Sequence, residues 1–150
     1  VAFPLREKTG VTEPQIREKV MTELERVGLS RAVEKLPAQL SGGMIKRVAL
    51  ARTLVRDPEL ILFDEPTTGL DPIVSNSILE LFDAVHQRLN LTGILVSHEI
   101  PAIFGIVQKV AMLHEGKILD MDTPARIQAC PDPIVDQFLN GRTNGPIQYR

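Results

Sequence analysis

Three short stretches hold side chains suited to phosphate chemistry. Asp64 and Glu65 stand together in "ELILFDEP", Ser97 and His98 close "LTGILVSH", and Ser41, Gly42 and Gly43 follow Leu40 in "LSGGMIKRVALAR". An aspartate at the end of a strand can hold a magnesium ion that bridges nucleotide phosphates, a task for a hard oxygen ligand that tolerates intervening water. A glutamate beside it can orient or deprotonate an attacking water. A histidine one strand away can donate a hydrogen bond to the terminal phosphate, where charge accumulates. The serine and glycine turn leads into a helix, whose free amides and dipole attract phosphate at that end, while glycine lets the backbone come close.

Taken singly, none of these is specific. An acidic pair at a strand end is usually a solvated turn, a glycine pair usually a tight turn, and a histidine near a helix start can simply satisfy backbone groups. His86 and His114 read as bystanders of that last kind. Lys46, Arg47, Arg52 and Arg56 read as a solvated helix face and not as a nucleic-acid stripe, since no aromatic residues interleave with them.

The elements that must position these residues can be traced along the chain. "TEPQ" from Thr12 places a capping hydroxyl three residues before Gln15 with Pro14 in the first turn, and Ile16, Val20, Leu24 and Val27 repeat at helical spacing until Gly28. Met44, Val48, Ala51 and Val55 are expected on the inner face of the next helix. Leu60–Phe63 is a short apolar run of the kind found in strands buried on both faces of a parallel sheet. Asp71 and Pro72 read as N-cap and first residue of a helix with Ile78, Leu81, Val85 and Leu89 in one stripe. After the strand "LTGILVSH" come a short helix over about 99–107, a hairpin turning at Glu115 and Gly116, a helix from Thr123 and Pro124, and a glycine-containing tail. Strands alternating with helices predict an α/β domain with a mostly parallel sheet, in which ligands sit at the carboxyl ends of the strands. Residues 11–57 are helical only and predict an attached helical subdomain.

Composition sets the outer bounds. The 150 residues are 43% apolar and 24% charged, with 17 basic and 19 acidic residues for a net charge of −2. That is ordinary globular usage, with no global field to draw in nucleic acid or anionic lipid, so an anion site must be local. The single cysteine, Cys130, excludes an internal disulfide framework and fits a reducing compartment. No apolar run approaches the roughly 20 residues that span a bilayer. The chain starts at Val1 without methionine or a basic-then-apolar leader, and is expected to be a piece of something longer.

Order and spacing together raise the signal: LSGG, a helix, four apolar residues, D-E-P, then "GLD", then an apolar strand closed by "SH". This pattern, over about residues 10–122, resembles the nucleotide-binding subunits of ATP-binding-cassette (ABC) proteins. The resemblance implies that Leu40–Gly43 are the signature loop, Asp64 and Glu65 the magnesium and catalytic carboxylates, Gly69–Asp71 the D-loop and His98 the switch histidine. It implies a head-to-tail dimer in which Ser41 and the Gly42 and Gly43 amides touch the terminal phosphate of ATP held by the other subunit, with Asp71 linking the two sites. ATP and Mg2+ are the implied ligands. On this view residues 1–57 are the end of the Q-loop region plus the helical subdomain, 58–130 the second half of the core, and 131–150 a C-terminal helix and tail. The chain thus resembles the C-terminal part of a P-loop NTPase domain.

Departures from the family pattern are visible too. Met44 stands where the signature usually has glutamine, a change that leaves the loop amides in place. No G-x-x-x-x-G-K-[ST] occurs in the chain, nor the adenine-stacking aromatic residue, nor the Q-loop glutamine. These would lie upstream of Val1, so the 150 residues alone are expected to bind Mg-ATP poorly and not to hydrolyse it.

The ends, "VAFPLREKTG" and "PDPIVDQFLNGRTNGPI", resemble the ATPase subunits of the bacterial maintenance-of-lipid-asymmetry (Mla) branch, the tail from Gly141 to Arg150 matching an extension that other transporter ATPases lack. That implies a lipid-transport ATPase at the cytoplasmic face of the inner membrane, bound to a permease, with a mammalian-cell-entry-type substrate-binding protein beyond it. The region of about 3–9 would lie near the groove for the permease's coupling helix. The alternatives are the ATPase of another importer such as one for amino acids, a non-transport ABC ATPase acting on DNA, and a non-catalytic interaction module. The absence of a long coiled-coil insertion disfavours the second, and the presence of Asp64, Glu65 and His98 disfavours the third.

Overall fold

The structure, a computed structural model, describes residues 1–7 and 10–148, apart from the side chain of Pro101. Lys8, Thr9, Tyr149 and Arg150, at the ends of the region expected near a permease's coupling helix and of the tail, therefore lie outside the described residues. Two compact units divide the chain, Val1–His98 and Glu99–Arg150.

The first unit opens with a single turn, α1 (Phe3–Arg6), followed by α2 (Glu13–Arg26), α3 (Gly42–Leu54), β1 (Leu60–Asp64), α4 (Pro72–Leu89) and β2 (Thr92–Val96). At the start of α2, Gln15 Oε1 accepts from both the Thr12 amide at 2.9 Å and its hydroxyl at 2.8 Å, which is the glutamine half of a capping box. At its end Gly28 takes φ +73°, and Leu29 N–H returns to Leu24 O at 2.7 Å, a closure open to few residues other than glycine. Ile16, Leu24 and Val27 are buried as their spacing predicts. Glu23 is fully buried among them, its carboxylate held by Arg26 Nη1 at 2.6 Å and Lys19 Nζ at 3.6 Å. A buried carboxylate needs such partners, because removing a charge from water without them costs several kcal/mol.

The inner face of α3 matches the expected one at Ala51 and Val55 and departs from it nearer the start of the helix. Gly43, Leu50, Ala51 and Leu54 are the buried residues of the helix, joined by Val55 just beyond it, whereas Met44 and Val48 are only half-buried. Arg47 sits in the middle of this stripe. On α4 the buried set is Ser75, Ile78, Leu79, Phe82 and Val85, with Leu89 at the exposed margin. The helix is capped by Asp71 and closed by Asn90 in the left-handed region at φ +49°.

β1 and β2 pair in parallel, Leu60 opposite Thr92 through Asp64 opposite Val96. Side chains alternate across a strand, so each face has one character. Ile61 is buried and Phe63 stacks on Phe82 of α4 with ring centroids 4.2 Å apart. The opposite face carries Leu60, Leu62, Ile94 and Val96, which are 49%, 69%, 52% and 56% exposed. The expectation of strands buried on both faces is therefore met on one face only, because α4 covers one side and, among the described residues, nothing covers the other.

The second unit holds α5 (Ile100–Ile103), β3 (Val110–His114), β4 (Lys117–Asp122), α6 (Pro124–Gln128) and α7 (Pro133–Leu139). β3 and β4 form the expected antiparallel hairpin, turning at Glu115 and Gly116 with φ +47° and +75°. Two consecutive positive φ values give the turn whose twist matches the strands. Met112, Ile127 and Val135 make the core of this unit. Gln137 on α7 binds the tail: its Nε2 donates to Arg142 O at 3.2 Å and Ile147 O at 3.1 Å, and its Oε1 accepts from Ile147 N–H at 2.7 Å. No helix among the described residues is long and apolar enough to cross a membrane.

Candidate functional site

Parallel pairing brings the carboxyl ends of β1 and β2 to one edge, so Asp64, Glu65, Ser97 and His98 emerge together. The pairing runs one residue past β1, with Glu65 N–H donating to Val96 O at 2.9 Å. Glu65 then turns sharply at φ +45°, a left-handed conformation that costs a residue with a Cβ about 1–2 kcal/mol and is concentrated at functional positions. Its side chain is fixed at both oxygens. Oε1 bonds His98 Nδ1 at 2.9 Å and Oε2 accepts from Thr68 Oγ1 at 2.9 Å.

These contacts set the protonation states. The His98 hydrogen bond, opposed by partial desolvation and aided by Thr68, holds the Glu65 carboxyl below the usual glutamate range. An ionised carboxylate only accepts, so His98 Nδ1 carries the proton in this bond. Nε2 is consequently an acceptor in the neutral ring and a donor in the imidazolium. Asp64 ends β1 on the same strand face as Leu60 and Leu62, and its residue is exposed.

The serine and glycine turn is built separately. A 3-10 turn over Pro37–Gln39, in which Gln39 Oε1 accepts from Leu36 N–H at 2.8 Å, feeds extended Leu40 and Ser41. Ser41 caps α3 by accepting Met44 N–H at 3.3 Å, while the Gly42 and Gly43 amides lie in the first turn, where no intrahelical acceptor exists. Ser41 and Gly42 are exposed; Gly43 is buried against α4. Asp71 follows the tight Gly69 turn at φ +82° and uses Oδ1 to cap α4, accepting from Ile73 N–H at 3.0 Å and Val74 N–H at 3.1 Å.

Two residues that the spacing assigned to a solvated face belong to this framework. Lys46 Nζ donates to Glu65 O at 3.4 Å. Arg47 donates from Nη1 to Val27 O at 3.0 Å and from Nη2 to Ser77 Oγ at 2.6 Å, joining the end of α2 to α4 across α3. Their signal was positional: counting i, i+3 and i+4 from Gly43 reaches Lys46, Arg47, Leu50 and Leu54, so both charges fall on the buried stripe. Thr68 was missed because a hydroxyl three residues from a carboxylate has no signature without the turn. His86 is a satisfied bystander, as expected, with Nδ1 2.7 Å from Leu91 O.

Geometry thus joins Glu65, His98 and Thr68 directly, and joins Ser41–Gly43 to the Asp71 segment through close packing. Among the described residues no group of three acidic, histidine or cysteine side chains could enclose a metal by itself. The donor set fits magnesium all the same, since that ion takes one or two carboxylates and completes its shell with water and substrate phosphates.

Residues 4–68 match a family described as ABC transporter. Over all 150 residues the chain is 41% identical to the intermembrane phospholipid transport system ATP-binding protein MlaF of Escherichia coli, covering 56% of that protein. The protein of the same name from Haemophilus influenzae is 42% identical over 150 residues, with 57% of it covered. Over 146 residues the chain is 42% identical to the probable ribonucleotide transport ATP-binding protein mkl of Mycobacterium leprae, which takes in 97% of this chain and 42% of that one. Among solved structures, cbiO1 from Clostridium perfringens, part of the ABC transporter complex cbiONQ, superposes with a TM-score of 0.79 at 30% identity over 95% of this chain and 55% of its own. The chain spans about half the length of the curated relatives it matches.

Proposed function

We propose that the chain belongs to the ABC transporter ATP-binding family and is part of an ATP-hydrolysing subunit that powers phospholipid transport across a bacterial envelope, a reading supported by the match of residues 4–68 to that family and by the α/β fold shared with part of an ABC transporter protein. The observation that carries the catalytic part is the Glu65–His98 contact of 2.9 Å, made at the strand edge beside Asp64.

In this reading Glu65 orients the attacking water and accepts its proton, while the water oxygen bonds to the γ-phosphorus and the bond to the β,γ-bridging oxygen breaks, releasing ADP and phosphate. The lowered pKa keeps Glu65 ionised at neutral pH, so its role leans on placing the water more than on strong basicity. His98 spreads charge from the terminal phosphate. Asp64 would hold Mg2+, directly or through water, and the bound ion would supply charge neutralisation at the phosphates. Ser41, Gly42 and Gly43 engage ATP held by the second subunit, and Asp71 lies at the junction between the two sites.

The remaining assignments follow from the same reading. Residues 1–57 are the end of the Q-loop region with the helical subdomain, 58–130 the second half of the core, and 131–150 the closing helix and tail. The 150 residues contain no G-x-x-x-x-G-K-[ST] and so are inactive alone. The partners are a second ATPase subunit, a membrane permease and a mammalian-cell-entry-type binding protein, with no nucleic acid. The subunit sits in the cytoplasm against the inner face of the inner membrane. Similarity to a protein named for ribonucleotide transport favours a second reading, the ATPase of another importer. The decisive experiment is reconstitution of the complete gene product with its co-purifying permease in liposomes. Phospholipid movement that needs ATP supports the first reading, movement of nucleotides the second, and an unchanged hydrolysis rate on Glu65→Gln overturns both.

A further inference from the structure

Gly43 and α4 approach more closely than a residue with a Cβ allows, and Gly42 lies tightly against Leu70 just before that helix. A Cβ at position 43 would lie 2.6 Å from Val74 Cγ1, and one at position 42 would lie 3.0 Å from Leu70 Cδ2. Gly43 is buried in this contact, and its backbone is helical, so alanine would suit its conformation and raise helix propensity. Glycine at 43 is therefore demanded by Val74 and not by an unusual φ.

The contact joins two functional segments. Val74 is among the residues whose amides Asp71 caps, and Leu70 precedes Asp71. Further along α3, Lys46 reaches the Glu65 carbonyl and Arg47 bonds Ser77 on α4 at 2.6 Å. Every one of these links runs from the first two turns of α3 to the stretch between Glu65 and Ser77. A well-packed contact of this kind does not deform continuously; displacing one side displaces the other.

We infer that Val74, with Leu70, is a positioning residue of this site, which by packing on Gly43 and Gly42 makes the serine and glycine turn move as one body with the segment that carries Glu65 and Asp71. The inference rests on the phosphate-binding reading of Ser41–Gly43.

A mutational cycle on the complete gene product tests this, read by melting temperature and by ATP hydrolysis. Gly43→Ala lowers the melting point by several degrees and the hydrolysis rate by about tenfold, because the added methyl overpacks the contact. Val74→Ala in the same chain makes room for that methyl and recovers most of both losses. Val74→Ala alone lowers kcat several-fold with KM for ATP unchanged, and the isosteric Val74→Thr keeps wild-type kcat. Should any variant of this pair fail to fold, Gly42→Ala with Leu70→Ala repeats the cycle at the looser contact. Gly43→Ala losses that are equal with and without Val74→Ala would overturn the inference, as would a harmless Gly43→Ala. If the wild-type chain hydrolyses no ATP, the functional reading fails while the melting cycle still decides the packing claim.

Discussion

Replacing Arg47 unties α3 from the end of α2 and from α4 without touching either carboxylate. Its guanidinium makes two bonds, 3.0 Å to Val27 O and 2.6 Å to Ser77 Oγ, and Val27 is fully buried, so losing the first leaves a carbonyl without its partner. A hydrogen bond to a charged group contributes about 1.5–3 kcal/mol. Arg47 is only half-buried, so solvent can replace part of that. Taking the low end twice and discounting it, Arg47→Met, which keeps the aliphatic stem, costs about 2–3 kcal/mol. For a chain of this size that is a melting shift of roughly 5–10 °C. Ser77→Ala removes one of the two bonds and costs about 1 kcal/mol. Arg47→Lys reaches one acceptor but not both, because an ammonium is a point donor and a guanidinium a fork, and lands between the two. The assay is urea denaturation of each variant at fixed pH, with the double variant closing a cycle whose coupling is about 1 kcal/mol. A loss under about 0.5 kcal/mol for Arg47→Met, the range of an ordinary surface substitution, or a lysine variant equal to wild type, would refute the reasoning.

Three other outcomes are expected. Glu65→Gln in the complete gene product slows ATP hydrolysis by about two to four orders of magnitude while nucleotide binding, followed by a fluorescent ATP analogue, is retained. The Glu65 carboxyl titrates below an ordinary glutamate, so its bond to His98 is fully present above the unfolded value and is lost as pH falls through the lower folded one; carbon-detected NMR should show the Glu65 midpoint moving up in His98→Ala. Gln137→Ala removes three side-chain bonds from α7 to the tail, and amide exchange at Ile147, whose N–H donates to Gln137 Oε1 at 2.7 Å, should accelerate with little change in melting temperature.

Much of this could be read from residue order, for local reasons. Capping by Asp71, the stop at Gly28 and the turn at Glu115–Gly116 each depend on a few neighbouring residues, and all three stand as the pattern predicts. The identity of the α3 inner face was not local. Ala51 and Val55 are buried as expected, but choosing Gly43 and Arg47 over Met44 and Val48 in the first two turns requires knowing that α4 approaches near enough to exclude a Cβ at position 43. Lys46 and Arg47 were misplaced for the same reason, since a charged residue on the buried side is stabilising only once its acceptors, Glu65 O, Val27 O and Ser77 Oγ, have been folded into reach. The Glu65–His98 pair was legible as two strand ends, while its bond depends on the register that sets Asp64 against Val96.

The bare side of the β1–β2 ribbon has a practical consequence for anyone handling these 150 residues. Leu60, Leu62, Ile94 and Val96 present a contiguous oily strip on a strand pair, the kind of surface that recruits other chains when left wet. Light scattering of the purified polypeptide should therefore climb with concentration, and Leu62→Lys should suppress that rise before any charge added elsewhere does.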